Sequence, residues 1–195
     1  MRFVIATLNP DKLRELEALL PGDLAEFVGL GELEGAAAPP EVGDTLEENA
    51  LAKGRAAVAF SGLPAIADDT GLEVDALGGE PGVRSARYAG EGAGYEANVR
   101  KLVLRMAGVE PARRSARFRT VCVACFPDRA PIVAEGVLEG RITTEPRGTG
   151  GFGYDAVFEV EGTGRTLAEL PFAEKNALSH RAAAVANLVA RLRGA

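Results

Sequence analysis

Two adjacent carboxylates, Asp68 and Asp69, follow the apolar run Ala65-Ile66-Ala67 and precede Thr70-Gly71-Leu72. Neighbouring acids in an apolar setting repel each other and lose hydration, a cost that a bound cation removes. Mg²⁺ suits such a pair, because it takes one or two protein carboxylates and leaves its other positions to water and phosphate oxygens. Glu41, Glu47 and Glu48 are further acids on which such a centre can draw. Weighed against a turn of solvated acids, the pair reads first as a metal or catalytic centre.

Three other constellations carry chemistry of their own. Thr7-x-Asn9-x-x-Lys12 lies where a strand passes into a helix. A helix start offers N–H groups and partial positive charge to an anion, and Lys12 adds a full charge; the plain alternative is a capped helix with a surface lysine. In Gly150-Gly151-Phe152-Gly153-Tyr154-Asp155, glycines let backbone approach a ligand closely, Phe152 can stack on a base, and Asp155 can accept a hydrogen bond from it. The alternative there is a tight loop with core aromatics. Lys175 with Ser179-His180-Arg181 contains the one histidine of the chain. It supplies the local positive charge that an acidic chain needs to bind a polyanion.

Other patterns fail on context. Gly148-Thr149-Gly150-Gly151-Phe152-Gly153 matches G-x-G-x-x-G, but Pro146 precedes it and an extended run follows, whereas a dinucleotide fingerprint opens a helix after a strand. No Gly-Lys-Ser/Thr completes a Walker A loop. Cys122 and Cys125 match C-x-x-C inside a strand-like run, where residues three apart face opposite ways, so both read as buried structural thiols. Asp69-Thr70-Gly71 resembles an aspartic-protease triplet, but that chemistry needs two copies and the chain has one.

The elements around these residues alternate. Residues 2–7 read as a buried strand; Asn9 then caps a helix with Pro10 at its first position and Asp11 in its first turn. A short strand over 25–28 leads to a loop over 29–43. Thr45 and Glu48 form a capping box for a helix ending near residue 61. Strand segments over 65–67 and 71–77, a glycine-rich loop over 78–94 and a helix over 95–107 follow. Residues 116–126 and 132–141 read as two strands joined by Pro127-Asp128-Arg129. A further strand over 156–160, an interruption at Pro171 and a helix over 179–192 complete the chain. This order predicts an α/β fold with a mixed sheet.

The chain is 195 residues long, which fits one domain. It is 47% hydrophobic with a net charge of −6 and no basic stripe, so nucleic acid is not an expected partner. With no Trp and 6% aromatics, the core must be aliphatic. There is no basic, apolar leader, no apolar stretch of membrane-spanning length, and only two cysteines, which together predict a cytoplasmic setting.

In this order, the blocks resemble the inosine/xanthosine triphosphate pyrophosphatase family. The matching stretches are residues 6–12, 41–53 (with Glu48-Asn49-Ala50), 64–72, 82–90, 148–155, and 174–181. The resemblance implies an elongated mixed sheet flanked by helices, with two lobes around a central cleft in one domain over residues 1–195, and a homodimer. It implies Mg²⁺-dependent hydrolysis of ITP, dITP and XTP to the monophosphate and pyrophosphate. Carried over by position, Asp69 is the catalytic acid–base residue and a metal ligand, with Glu41 and Asp68 as further ligands. Thr7, Leu8, Asn9, Pro10, Asp11, Lys12, Lys53 and Lys175 hold the triphosphate. Thr70 contacts substrate at a position where the family usually has Ser. Phe152, Gly153, Tyr154, Asp155, His180 and Arg181 form the base pocket. Rival readings are a related pyrophosphatase for modified pyrimidine or methylated nucleotides, which lacks the Ser-His-Arg block, and a non-catalytic nucleotide sensor.

Overall fold

The computed structural model describes residues 2–39 and 43–194. Glu41 lies outside the described residues. The elements run β1 (Arg2–Ile5), α1 (Pro10–Leu19), β2 (Glu26–Gly29), α2 (Leu46–Ser61), β3 (Ala65–Val74), β4 (Pro81–Gly82), α3 (Tyr95–Arg105), β5 (Ser115–Cys125), β6 (Ile132–Ile142), β7 (Phe158–Val160), α4 (Phe172–Leu178) and α5 (His180–Arg193). The sheet order is β2-β1-β3-β5-β6-β7, with β4 paired to β3. β1 is parallel to β2 and β3, while β3–β4 and β6–β7 are antiparallel, so the expected mixed α/β sheet is found.

The helix starts follow local chemistry. Asn9 Oδ1 accepts hydrogen bonds from the backbone N–H groups of Asp11 and Lys12, which caps α1. Thr45 and Glu48 make the reciprocal capping box of α2.

Three expectations need correction. β3 runs unbroken through Asp68 and Asp69 instead of stopping before them, because both acids find cationic partners and need no water. The strand expected over 156–160 keeps only its second half, since Asp155–Val157 is a 3-10 turn. Pro171 does not interrupt the chain: it is the N-cap of α4, a helix absent from the sequence reading, and the extended Ser179 separates α4 from α5.

The chain forms two compact units, each with its own core. The first comprises Met1–Asp69, Thr120–Gly136 and His180–Ala195; the second comprises Thr70–Arg119 and Val137–Ser179. In the first, Phe3, Ile5, Leu16, Ile66, Cys122 and Ala134 pack with Ala184, Val185 and Leu188 of α5. In the second, Leu72, Val74, Leu102, Met106, Phe118 and Ile142 pack with Tyr154, Val157 and Phe158. Most of the packing is aliphatic, but the expectation of an aliphatic core holds only in part: Phe3 meets Phe27 and Phe126 in the first core, and Tyr88, Phe118, Tyr154 and Phe158 lie in the second. Among the described residues, no helix is long and apolar enough to cross a membrane.

Cys122 and Cys125 are both free and buried on the first unit's strand β5. Cys122 belongs to the α5-side core, while Cys125 faces Gly54 of α2, so the two thiols point opposite ways as strand geometry demands. Burial raises both thiols above their ordinary range, which suppresses the reactive thiolate. Neither should react with a water-soluble thiol reagent until denaturant is added. Titration with such a reagent, with and without guanidinium, checks this: one thiol labelled rapidly in native protein would contradict the burial.

Candidate active site

In the first unit, consecutive strand residues send Asp68 and Asp69 to opposite faces of β3. The two acids therefore meet different partners and do not share one site.

Asp68 is almost wholly enclosed. Arg181 approaches its Oδ2 through Nη2 at 2.9 Å and Nε at 3.1 Å. Lys12 Nζ lies 3.4 Å from its Oδ1. Arg181 turns its remaining nitrogen, Nη1, to Glu15 on α1. Burial alone would push the Asp68 carboxyl up, but the charges of Lys12, Arg181 and Lys53 outweigh it and hold the group well below the usual carboxylate range. Arg181 is likewise opposed by burial and rescued by Asp68 and Glu15, so it stays charged. Lys12 is pushed below the ordinary lysine value, chiefly by burial, with Asp68 acting against that.

Arg181 reaches this position because α5 begins at His180 and packs backbone to backbone on β6. A Cβ at Gly136 would collide with the His180 carbonyl and the Ala184 amide, so glycine there admits the helix. His180 itself is buried, and its Nδ1 lies 2.6 Å from the Thr120 hydroxyl on β5.

Asp69 faces α2. Lys53 Nζ donates to its Oδ1 at 2.7 Å, and Asn49 Nδ2 donates to its Oδ2 at 3.2 Å. Asn49 and Lys53 are one turn apart, on one face of the helix. A carboxylate has about four lone-pair sites, so these two bonds leave acceptor capacity for a ligand. Among the described residues there is no group of three His, Cys, Asp or Glu placed to hold a metal ion. Mg²⁺ does not require one, since one or two carboxylates with phosphate and water suffice. Asp69 fits that role. Asp68, with both oxygens already engaged by cations, is a poor ligand unless those pairs open.

The Thr7–Lys12 stretch departs from the expected phosphate cradle. Pro10 has no N–H, the amides of Asp11 and Lys12 go to Asn9 Oδ1, and that of Leu13 goes to the Asn9 carbonyl. The first turn thus has no uncommitted amide, and the Lys12 ammonium and the Thr7 hydroxyl remain as groups to meet an anion. Leu8 and Pro10 are exposed, and Asp11 is half-buried.

The second unit carries the aromatic loop. Asp155 Oδ2 accepts the Phe152 backbone N–H at 2.8 Å and the Lys175 ammonium at 2.6 Å, and Lys175 also lies 4.8 Å from the Phe152 ring centre. Gly151 has a φ of +69°, and a Cβ there would strike the Asp155 carboxylate, so the loop can close on its acid only with glycine at that position. Lys175 is therefore bound to Asp155 and Phe152. Tyr154 is a core residue whose hydroxyl donates to the Ser85 carbonyl at 2.8 Å, with burial raising its phenol. Gly153 is half-buried, and Thr70 is half-buried on β3.

Sequence reasoning missed Glu15, Thr120 and the role of Asn49. Glu15 carried a signal, being a charged residue beside Leu16 on the apolar face of α1. Thr120 carried none, because a threonine in a strand is ordinary.

The chain is a member of the Ham1 family, whose family model matches residues 3–191. It is 52% identical to the dITP/XTP pyrophosphatase of Methylococcus capsulatus, over 98% of this chain and 96% of that protein. The dITP/XTP pyrophosphatase of Thioalkalivibrio sulfidiphilus is 48% identical, with full coverage of both chains at 100%. Among solved structures, a HAM1 protein from Coxiella burnetii is 41% identical with a TM-score of 0.89, covering 100% of both chains. The Staphylococcus aureus Ham1 protein is 39% identical with a TM-score of 0.87, covering 100% of this chain and 99% of that one.

Proposed function

We propose that this protein hydrolyses the non-standard purine nucleotides ITP, dITP and XTP to the monophosphate and pyrophosphate, in a Mg²⁺-dependent reaction. The observation that carries the reading is the Asp69 carboxylate, gripped by Lys53 at 2.7 Å and Asn49 at 3.2 Å, in a chain 52% identical to a dITP/XTP pyrophosphatase. The cytoplasmic setting and the homodimer implied by the resemblance go with this reading.

Asp69 accepts the proton of the attacking water as its oxygen bonds to the α-phosphorus. The bond from that phosphorus to the α–β bridging oxygen breaks, and pyrophosphate leaves with the bridging oxygen. Lys12 and Lys53 stabilise the negative charge that grows on the phosphate oxygens. Mg²⁺, held by Asp69 with Glu41 as the family places it, supplies Lewis-acid polarisation and an ordered water when bound. Arg181 serves Asp68 and thereby keeps β3 intact beside the reacting carboxylate.

Base choice comes from hydrogen bonds to a 6-keto group, because donors placed for a carbonyl are left unpaired against a 6-amino group. ATP is therefore the informative competitor, since GTP shares the 6-keto group.

Pyrophosphate release from ITP, dITP, XTP, GTP, ATP and dTTP, with and without Mg²⁺, tests the reading. Expected is rapid release from the first three only when Mg²⁺ is present. Equal turnover of ATP and ITP would sink the base assignment, and tight ITP binding without pyrophosphate release would leave a sensor.

A further inference from the structure

Asn49 lies within the block that resembles the family, yet neither the motif reading nor the reaction above assigns it a role. Its side chain is fully buried in α2, with both ends engaged inside the first unit. Oδ1 accepts the Gly43 backbone N–H at 2.8 Å, and Nδ2 donates to Asp69 Oδ2 at 3.2 Å. A backbone N–H can only donate, so the atom facing Gly43 must be the oxygen and the atom facing Asp69 must be the NH₂. The amide cannot be reversed without breaking both bonds.

Lys53 holds one oxygen of Asp69 at 2.7 Å, and its ammonium also reaches the Asp68 carbonyl at 3.5 Å, which leaves the second carboxylate oxygen to Asn49. A lysine is a point charge on a flexible stem, and the carboxylate's own terminal torsion is broad. A donor on the second oxygen removes that freedom. We propose that Asn49 is a positioning residue: its amide sets the plane of the Asp69 carboxylate and ties it to the backbone of Gly43. This rests on Asp69 being the reacting carboxylate of the proposed pyrophosphatase.

Two substitutions separate the two bonds. Asn49→Asp keeps an oxygen for the Gly43 amide and sets a second carboxyl against Asp69 where the neutral NH₂ donated, so the pair repels or shares a proton; Asn49→Ala removes both bonds. Steady-state ITP hydrolysis should show kcat reduced on the order of ten- to a hundredfold in both variants, the range seen when partners that orient a metal-ligating group are lost. KM should stay within about threefold, because no substrate contact is removed. In the Asp69→Asn background, Asn49→Ala should change kcat by less than about twofold, since a residue acting through Asp69 has nothing left to orient.

A folded Asn49→Asp or Asn49→Ala enzyme with wild-type kcat would overturn the proposal. So would an undiminished further loss in the Asp69→Asn background, which would mark a general structural role. If Asn49→Ala does not fold, Asn49→Asp still carries the test, and NMR of the wild-type protein gives a second one. The Asn49 side-chain amide protons should exchange slowly and shift on Asp69→Asn, and fast exchange would overturn the assignment. If wild-type protein releases no pyrophosphate at all, the proposed function falls, while the NMR result still judges whether Asn49 orients Asp69.

Discussion

Asp69→Asn should leave a folded protein whose kcat for ITP is lower by about 10²–10⁴-fold, the range for loss of a general acid–base group. The substitution is nearly isosteric. Its amide oxygen can still accept from Lys53, so the buried ammonium keeps a partner. Its NH₂ then faces the Asn49 NH₂, which cannot turn because Gly43 fixes it, and two donors confront each other. The stability cost should be about 1–3 kcal/mol, the cost of one unsatisfied buried polar group. The reaction loses its proton acceptor and, in the proposed mechanism, a metal ligand. Measuring kcat and Tm together decides the matter: a folded variant that hydrolyses ITP at a near-normal rate would remove Asp69 from the chemistry.

The second large effect is on stability. Arg181→Ala should destabilise the protein by about 3–5 kcal/mol, as breaking a buried ion pair does when the partner charges are left behind. Two carboxylates, Asp68 and Glu15, lose the same guanidinium, while Lys12 stays 3.4 Å from Asp68. Arg181→Lys should recover only part of the loss, because one ammonium cannot reproduce the fork that serves both acids.

The sign of the pH dependence follows. In the wild type, the Asp68 carboxyl is held below its ordinary value of 3.8. Its contribution to stability is complete above that pH and fades as pH falls through the lower folded value. In Arg181→Ala, Asp68 keeps its burial and loses the guanidinium that opposes it, so protonation relieves the variant as the solution is acidified. The deficit against wild type, from urea titrations between pH 8 and pH 5, should shrink toward the acid end. A constant deficit, or one below about 1 kcal/mol, would mean that the triad contributes little, as exposed pairs do.

How far the sequence foretold this arrangement differs from residue to residue. Asn9, Thr45 and Glu48 announced their helices because capping is local and needs no partner elsewhere in the chain. The mixed sheet was legible from the alternation of helical and extended runs. The unbroken β3 was not, because the cations that neutralise Asp68 come from residues 12 and 181, which no local window contains. The same distance hid Glu15 as the partner of Arg181. α4 is hidden differently: a proline can end one run or precede a helix, and at Pro171 it precedes one. The candidate acids and lysines were legible as residue types, but the division of labour between Asp68 and Asp69 appeared only with the fold.

That division has a consequence for how the gene can change. A strand has parity: odd and even positions belong to different surfaces of the sheet. Asp68 and Asp69 are chemically identical and adjacent, so only their parity tells them apart. A single-residue insertion between Ala65 and Asp68 would carry the first acid to the place beside Lys53 and the second past it, and a deletion would carry the second acid to Arg181 and pull the first short of Lys53. Composition and charge would be almost untouched, yet both the reaction and the buried ion pairs would be lost at once. This short stretch should therefore accept substitutions of size and hydrophobicity far more readily than any change in length.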